Sequence, residues 1–274
     1  PPRGGPMQKI PGGTFMMGAT DGDKDELPVH EEQVSGFEMD QHEVTVAEFA
    51  ECVLDGKCRA DTSVNWDKIS GSDWTVWSKA CNWGKSEFSR HPMNCVDGEQ
   101  ARAYCAWANK RLPTEVEWEY AARGGKEQRR YPWGDRAPDG NLLNLCEGEC
   151  AAWWARQNYD VSEVFPGKDR WGTTSPVGSY QPPGVSYAFD LHDMAGNVWE
   201  WTASPPCDGG YAGKSAECAR TSCADTTGQC GWQVYRGGSW SLGKAADVRG
   251  ARRSWYAWSK RASDLGFRCA RTPG

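Results

Sequence analysis

Gly184-Val-Ser-Tyr-Ala-Phe-Asp-Leu-His-Asp-Met-Ala-Gly-Asn-Val-Trp-Glu-Trp201 decides how the rest of this chain is read. It packs acidic side chains, a glycine and two tryptophans into a run too short for an ordinary amphipathic helix. Asp193 and Glu200 can each offer carboxylate oxygens. Gly196 lets the backbone fold back so that the carbonyls of Gly196 and Val198 face the same way. Oxygen donors at this spacing suit a hard cation such as calcium. The plainer reading is an acidic surface turn carrying two buried indoles. The surrounding sequence has to decide between them.

Working outward, the chain has 274 residues, enough for one large domain or two small ones, and 16 Trp, 32 Gly and 16 Pro. With a mean hydropathy of -0.73, this describes bulky aromatics buried between many turns, few long aliphatic runs and few helices. No apolar stretch approaches the roughly 20 residues a membrane span needs, and no basic segment followed by an apolar one opens the chain. A net charge of -6 offers no general attraction to phosphate backbones, so nucleic acid is not an expected partner.

Twelve cysteines exceed what a reducing cytosol usually holds. Several lie close together: Cys52 and Cys58, Cys146 and Cys150, then Cys207, Cys218, Cys223 and Cys230. They read as disulfides of an exported protein, secreted, periplasmic or on the cell surface. A zinc site in the Cys218 to Cys230 loop is the competing reading. It lacks a C-x-x-C pair, and the chain has only four His.

Along the chain, residues 1–6 read as a flexible leader of the sort that follows a signal or lipid anchor, with one domain over 7–274. Met7 to Met17 reads as two short strands around Pro-Gly-Gly. Asp21, Asp23 and Asp25 look like the start of an EF-hand, but Glu26 stands where that loop needs Gly and Pro28 follows. A solvated charge run is the better account. Val34 to Met39 alternates like a half-buried strand. Capping boxes at Thr45-Val-Ala-Glu48, Asp97-Gly-Glu-Gln100 and Thr114-Glu-Val-Glu117 predict three helices, through about Leu54, through Trp107 and up to Gly124-Gly125. Between the first two, Asp61 to His91 has no clear period and reads as an irregular insertion stapled by Cys81 and Cys95.

Eight stretches, in order, resemble the sulfatase-modifying-factor family, the fold of formylglycine-generating enzymes, itself related to C-type lectins. They are Gly12-Gly-Thr-Phe-Met-Met-Gly18, Glu43-Val-Thr45, Ala103-Tyr-Cys-Ala-Trp107, Arg111-Leu-Pro-Thr-Glu-Val-Glu-Trp-Glu-Tyr120, Tyr131-Pro-Trp-Gly134, Asp193-Met-Ala-Gly-Asn-Val-Trp-Glu-Trp201, Arg236-Gly-Gly-Ser-Trp240 and Leu265-Gly-Phe-Arg-Cys269. The resemblance covers about Met7 to Arg271 and implies a single compact α+β domain with little regular secondary structure and calcium used structurally. One family calcium site falls on Asp193 and Glu200 by side chain and on Gly196 and Val198 by carbonyl. The other falls on Asn144 and Asp169 by side chain and on Leu145 and Trp171 by carbonyl, although the family's Asp-Gly-aromatic is Asp169-Arg-Trp171 here. The family's core disulfide falls on Cys105 and Cys269. Closeness in sequence adds Cys52 with Cys58 and Cys146 with Cys150.

The family's oxidases hold copper with two cysteines after the Gly-Gly-Ser motif, and those positions are Leu242 and Asp247 here. Leucine cannot bind copper, and a carboxylate is a poor ligand for Cu(I). The resemblance therefore does not carry formylglycine formation to this chain. Sulfoxide synthases of the superfamily use an added helical domain and a His-x-x-x-His-x-Glu pattern, and the chain has neither. The remaining expectation is a calcium-stabilised domain that binds a protein, peptide or glycan through Ser239, Trp240, Arg249, Arg253, Trp255, Tyr256 and Trp258, where arginines interleave with aromatics. Against it stands the reading of the same residues as packing and salt bridges. The alternative function is an oxidoreductase using a different metal site or cofactor.

Overall fold

The computed structural model describes residues 3–60, 63–67, 71–161, 163–206, 211 and 231–273. The three capping boxes build the helices α1 (Val46–Leu54), α3 (Gly98–Trp107) and α4 (Glu115–Ala122). In each, the cap oxygen accepts from the backbone N–H three residues on, and the returning Glu or Gln accepts from the cap's own N–H at 2.8–2.9 Å. Two further helices are α2 (Gly71–Ser78), inside the stretch read as irregular, and α5 (Gly148–Ala155), for which no capping box gave a signal.

Strands β1 (Met7–Ile10) and β2 (Gly13–Met17) flank the Pro-Gly-Gly turn as expected but join different sheets. The predicted Val34–Met39 strand is two. Strand β3 (His30–Val34) pairs with β2, and β4 (Phe37–Asp40) lies between β1 and β9 (Ala270–Arg271). The break falls at Ser35-Gly36, where the chain crosses Gly12. A Cβ on Gly12 would come within 2.8 Å of the Gly36 nitrogen and the Val34 carbonyl, so the crossing needs glycine. A four-stranded sheet runs in the order β7 (Arg253–Ala257), β6 (Trp232–Arg236), β5 (Trp199–Trp201), β8 (Leu265–Gly266), with only β5 and β8 parallel.

The core divides around these sheets within one compact domain. Val46, Phe49, Tyr104, Cys105, Phe267 and Trp201 pack α1 and α3 against the four-stranded sheet, and Phe15, Met17, Phe37, Met39 and Trp118 pack α4 under the other strands. Four disulfides join the described cysteines: Cys52–Cys58, Cys81–Cys95, Cys105–Cys269 and Cys146–Cys150. Cys207, Cys218, Cys223 and Cys230 lie outside the described residues. No described helix is long and apolar enough to cross a membrane.

Two segments expected to be free are engaged. Arg3 donates to the Trp107 carbonyl, and the Pro6 carbonyl accepts from Gln41 N–H, so residues 3–6 lie against the domain. The 21–26 charge run is not simply solvated either. Asp21 and Asp23 pair with Arg130 and Arg252, and Glu26 is fully buried with Arg249 forked across its carboxylate at 2.7 Å on both arms.

Candidate functional site

The Asp193 to Trp201 turn is folded by three left-handed residues, Asp193, Gly196 and Asn197. At Gly196 a Cβ would lie 2.3 Å from the Asn144 carbonyl, which fixes the glycine and presses this turn against the 144–147 segment. Asn197 stitches the two. Its N–H donates to the Asn144 carbonyl at 3.0 Å, its Oδ1 accepts from Ser175 N–H at 2.9 Å, and its Nδ2 donates to Glu43 at 3.0 Å.

Around this junction lie buried acceptors with no donor. Asn144 Oδ1, both oxygens of Glu147, and Asp169 Oδ2 are buried without a hydrogen-bond partner among the described residues. Glu147 sits against Gly140 and Gly167, where an added Cβ would lie within 2.4–2.7 Å of its carboxylate. Asp169 is positioned by the N–H of Trp171 at 3.0 Å and by that of Leu145. Burial, then the Asp169 charge, pushes the Glu147 carboxyl up to about 7; burial pushes Asp169 up to about 6. Unpaired carboxylates of this kind carry a desolvation penalty that a bound cation relieves. Asn144, Leu145, Asp169 and Trp171, expected as one ligand set, lie in one neighbourhood, and Glu147 lies beside them. These hard oxygen donors fit calcium. No group of three His, Cys, Asp or Glu side chains is placed to hold a metal among the described residues, so such a site leans on amide and carbonyl oxygens.

The other predicted set fits only in part. Asp193 is buried and accepts from Gly178 N–H at 2.6 Å, but both oxygens of Glu200 are already engaged. Arg268 binds them at 2.7 and 2.8 Å, and Trp118 Nε1 donates at 2.7 Å. Glu200 is first of all the counter-ion of Arg268. The carboxylate oxygen left without a partner beside Asp193 is Glu43 Oε2, and burial, then the Asp193 charge, raises Glu43 well above its ordinary value.

The predicted arginine and aromatic surface is corrected. Ser239, Trp240, Arg249, Arg253, Tyr256 and Trp258 are all buried, and Trp255 is half-buried. Arg253 grips Glu115 at 2.7 and 2.8 Å, Arg249 grips Glu26, and Trp258 Nε1 donates to Glu99 at 2.9 Å. Trp258 also covers Gly98 so closely that a Cβ there would meet its ring at 2.1 Å. These side chains hold the fold, and their carboxylate partners lie far away in sequence, Glu26 being 223 residues from Arg249.

Leu242 packs between two core clusters, and Asp247 faces Arg252 at 3.5 Å. Ser239 Oγ donates to Asp264 Oδ2 at 3.0 Å, and Ser241 Oγ donates to the same oxygen at 2.6 Å. Asp264 forms part of the wall of a cavity of about 130 Å³ with Trp66, Trp77, Trp199, Tyr235 and Leu265. Sequence reasoning missed Asp264, Trp66 and Trp77. Asp264 stands directly before the Leu265-Gly-Phe-Arg-Cys269 motif, which was the available signal.

Residues 3–273 match the family described as the sulfatase-modifying factor enzyme 1-like domain. The formylglycine-generating enzyme of Mus musculus is 32% identical over 297 residues, covering 96% of this chain and 74% of the mouse protein. The inactive C-alpha-formylglycine-generating enzyme 2 of Bos taurus is 32% identical over 304 residues, covering 98% and 88%. Among solved structures, PvdO from Pseudomonas aeruginosa superposes with a TM-score of 0.67 at 26% identity, over 97% of this chain and 94% of that one.

Proposed function

The chain belongs to the sulfatase-modifying-factor family, and from that premise we propose that it is an exported, calcium-stabilised member that makes no formylglycine and binds a ligand in the cleft between Trp66 and Asp264. One observation carries this reading. The two positions that resemble the family's copper-ligating cysteines are Leu242 and Asp247, one half-buried against two core clusters and the other facing an arginine, while an aromatic cavity lies beside Asp264, the partner of Ser239. Neither side chain supplies the thiolate that Cu(I) prefers. The family contains both active enzymes and proteins named inactive, so membership alone does not assign the chemistry.

Calcium would be held by Asn144, Asp169 and Glu147 through side-chain oxygens and by Leu145 and Trp171 through carbonyls. Bound there, it supplies the positive charge that these buried acceptors lack. Its work is structural, since it would pin the 144–171 segment against the Asp193 to Trp201 turn. Export accords with four disulfides and with the absence of a membrane-crossing helix among the described residues.

The test is a fragment screen by ligand-observed NMR with neutral, anionic and cationic compounds, run on the wild type and on Trp66→Ala. Hits that vanish in Trp66→Ala while its melting curve stays near wild type support the cleft. No hits, or hits indifferent to Trp66, would refute it.

A further inference from the structure

We infer that the cleft is a receptor for an organic ammonium group, a methylated or primary amine head group carrying one positive charge. The inference rests on the cleft reading above and names its ligand class. Trp66, Trp77, Trp199 and Tyr235 wall a cavity of about 130 Å³, with Asp264 at its edge. Aromatic faces carry negative potential, and an indole ring is the best of them for holding a cation. A single acid completes the charge complement. No cation pairs with Asp264 among the described residues; Ser239 and Ser241 both donate to its Oδ2, and its own backbone N–H also donates to the carboxylate. An amine bound here would meet an acid that accepts from Ser239, Ser241 and its own backbone N–H but has no cationic partner among the described residues, beside an aromatic wall.

The geometry separates this ligand from its competitors. A hard metal ion needs several oxygen ligands, and the cavity wall offers one carboxylate among rings. A guanidinium prefers both oxygens of a carboxylate in a planar fork, and one of the two is already taken by two serines. A neutral apolar ligand would bury Asp264 with hydroxyl and backbone donors but no opposite charge. A cavity of about 130 Å³ suits one small head group.

The rings are held in place before any ligand arrives. Trp66 stacks on Tyr256 with centroids 4.2 Å apart and 15° between planes, and Trp199 meets Tyr235 edge to face at 5.1 Å. Trp77 lies against Trp154 at 4.4 Å.

The experiment titrates the full protein with choline and, separately, with its uncharged carbon isostere 3,3-dimethyl-1-butanol, following tryptophan fluorescence and calorimetry. Saturable choline binding is expected, at least about tenfold tighter than the isostere, from cation–π and charge terms together. Asp264→Asn should erase most of that preference, and Trp66→Leu should weaken choline by about tenfold. Equal binding of choline and isostere would overturn the ammonium assignment while leaving the cleft reading intact. Binding of neither would overturn the assignment too, and the fragment screen then decides the fate of the cleft. If Asp264→Asn fails to fold, Ser241→Ala, which removes one donor to the same carboxylate, must leave choline binding equal or tighter; weaker binding would also count against the inference.

Discussion

Glu115→Gln is the substitution whose outcome follows most directly from the geometry. Glu115 opens α4, is fully buried, and accepts from Arg253 at 2.7 and 2.8 Å, from Arg236 Nε at 3.0 Å and from Tyr211 at 3.2 Å. Burial alone would raise its pKa, but the Arg253 and Arg236 guanidiniums outweigh that and hold it below the ordinary value. Glutamine keeps the shape and removes the charge that Arg253 grips, while Arg236 is left to Glu119, which also serves Arg123. Breaking a buried ion pair by removing one partner costs about 3–5 kcal/mol. At about 2.1 cal/mol/K per residue of unfolding entropy, that is roughly 5–9 °C in melting temperature for a chain of 274 residues. The pH dependence has a definite sign. A depressed carboxyl contributes its full stability above its unfolded pKa and loses it as pH falls through the folded value. The difference between wild type and variant, measured by urea denaturation, should therefore be constant between about pH 6 and 8 and shrink below about pH 4. Combining Glu115→Gln with Arg253→Met should cost less than the sum of the two. A loss under about 1 kcal/mol, or one indifferent to acid, would refute the reading of Arg253 as structural.

Three other outcomes are expected. Chelation with EGTA should lower the melting temperature by roughly 4–5 °C if calcium was present at about a hundred times its Kd, and Glu147→Gln should blunt that response; an unchanged melt on chelation would sink the calcium site. Removing the Cys105–Cys269 link by a double Ser substitution opens a loop of 164 residues and should cost on the order of 5 kcal/mol, while alkylation of the non-reduced wild type should leave Cys105 unmodified. Copper-loaded protein should leave the cysteine of a sulfatase-type peptide intact, as judged by the retained sulfur in its mass spectrum; turnover would show that the metal site lies elsewhere.

What the sequence disclosed was set by how local the physics is. The capping boxes are legible because both halves of each reciprocal hydrogen bond lie within four residues. Helix α2 escaped because its sequence, GSDWTVWS, spans barely two turns and opens on Gly and Ser without a clear apolar stripe. The Val34–Met39 break escaped because it depends on a backbone crossing with Gly12 that no periodicity encodes. The arginines were misread for a related reason. An arginine among tryptophans looks the same in sequence whether its carboxylate partner belongs to a ligand or to Glu26, which lies 223 residues away. The Asn144 and Asp169 set came from resemblance, yet Glu147, three residues from Asn144, was readable as an added acid and was passed over.

The insertion that the sequence left shapeless decides what the cleft can accept. Residues 63–67 are tied to the C-terminal loop by Asn65 Nδ2 to the Ser259 carbonyl at 3.0 Å, by Arg261 Nε to the Ser63 carbonyl at 2.8 Å and by an ion pair between Asp67 and Lys260. The Cys81–Cys95 disulfide fastens the far end of the same insertion. Trp66 is thereby held in the cavity wall with Trp199 and Asp264, and Trp77 lines the same cavity packed against Trp154. A cleft ordered in advance loses little conformational freedom on binding, so affinity can come from few contacts. The same rigidity limits what can enter. Moving Trp66 aside to widen the cleft would break its stack on Tyr256 and pull on the neighbouring Asn65 and Arg261 hydrogen bonds. A small head group that leaves Trp66 in place avoids that cost, whereas any larger ligand that displaces it has to bear it.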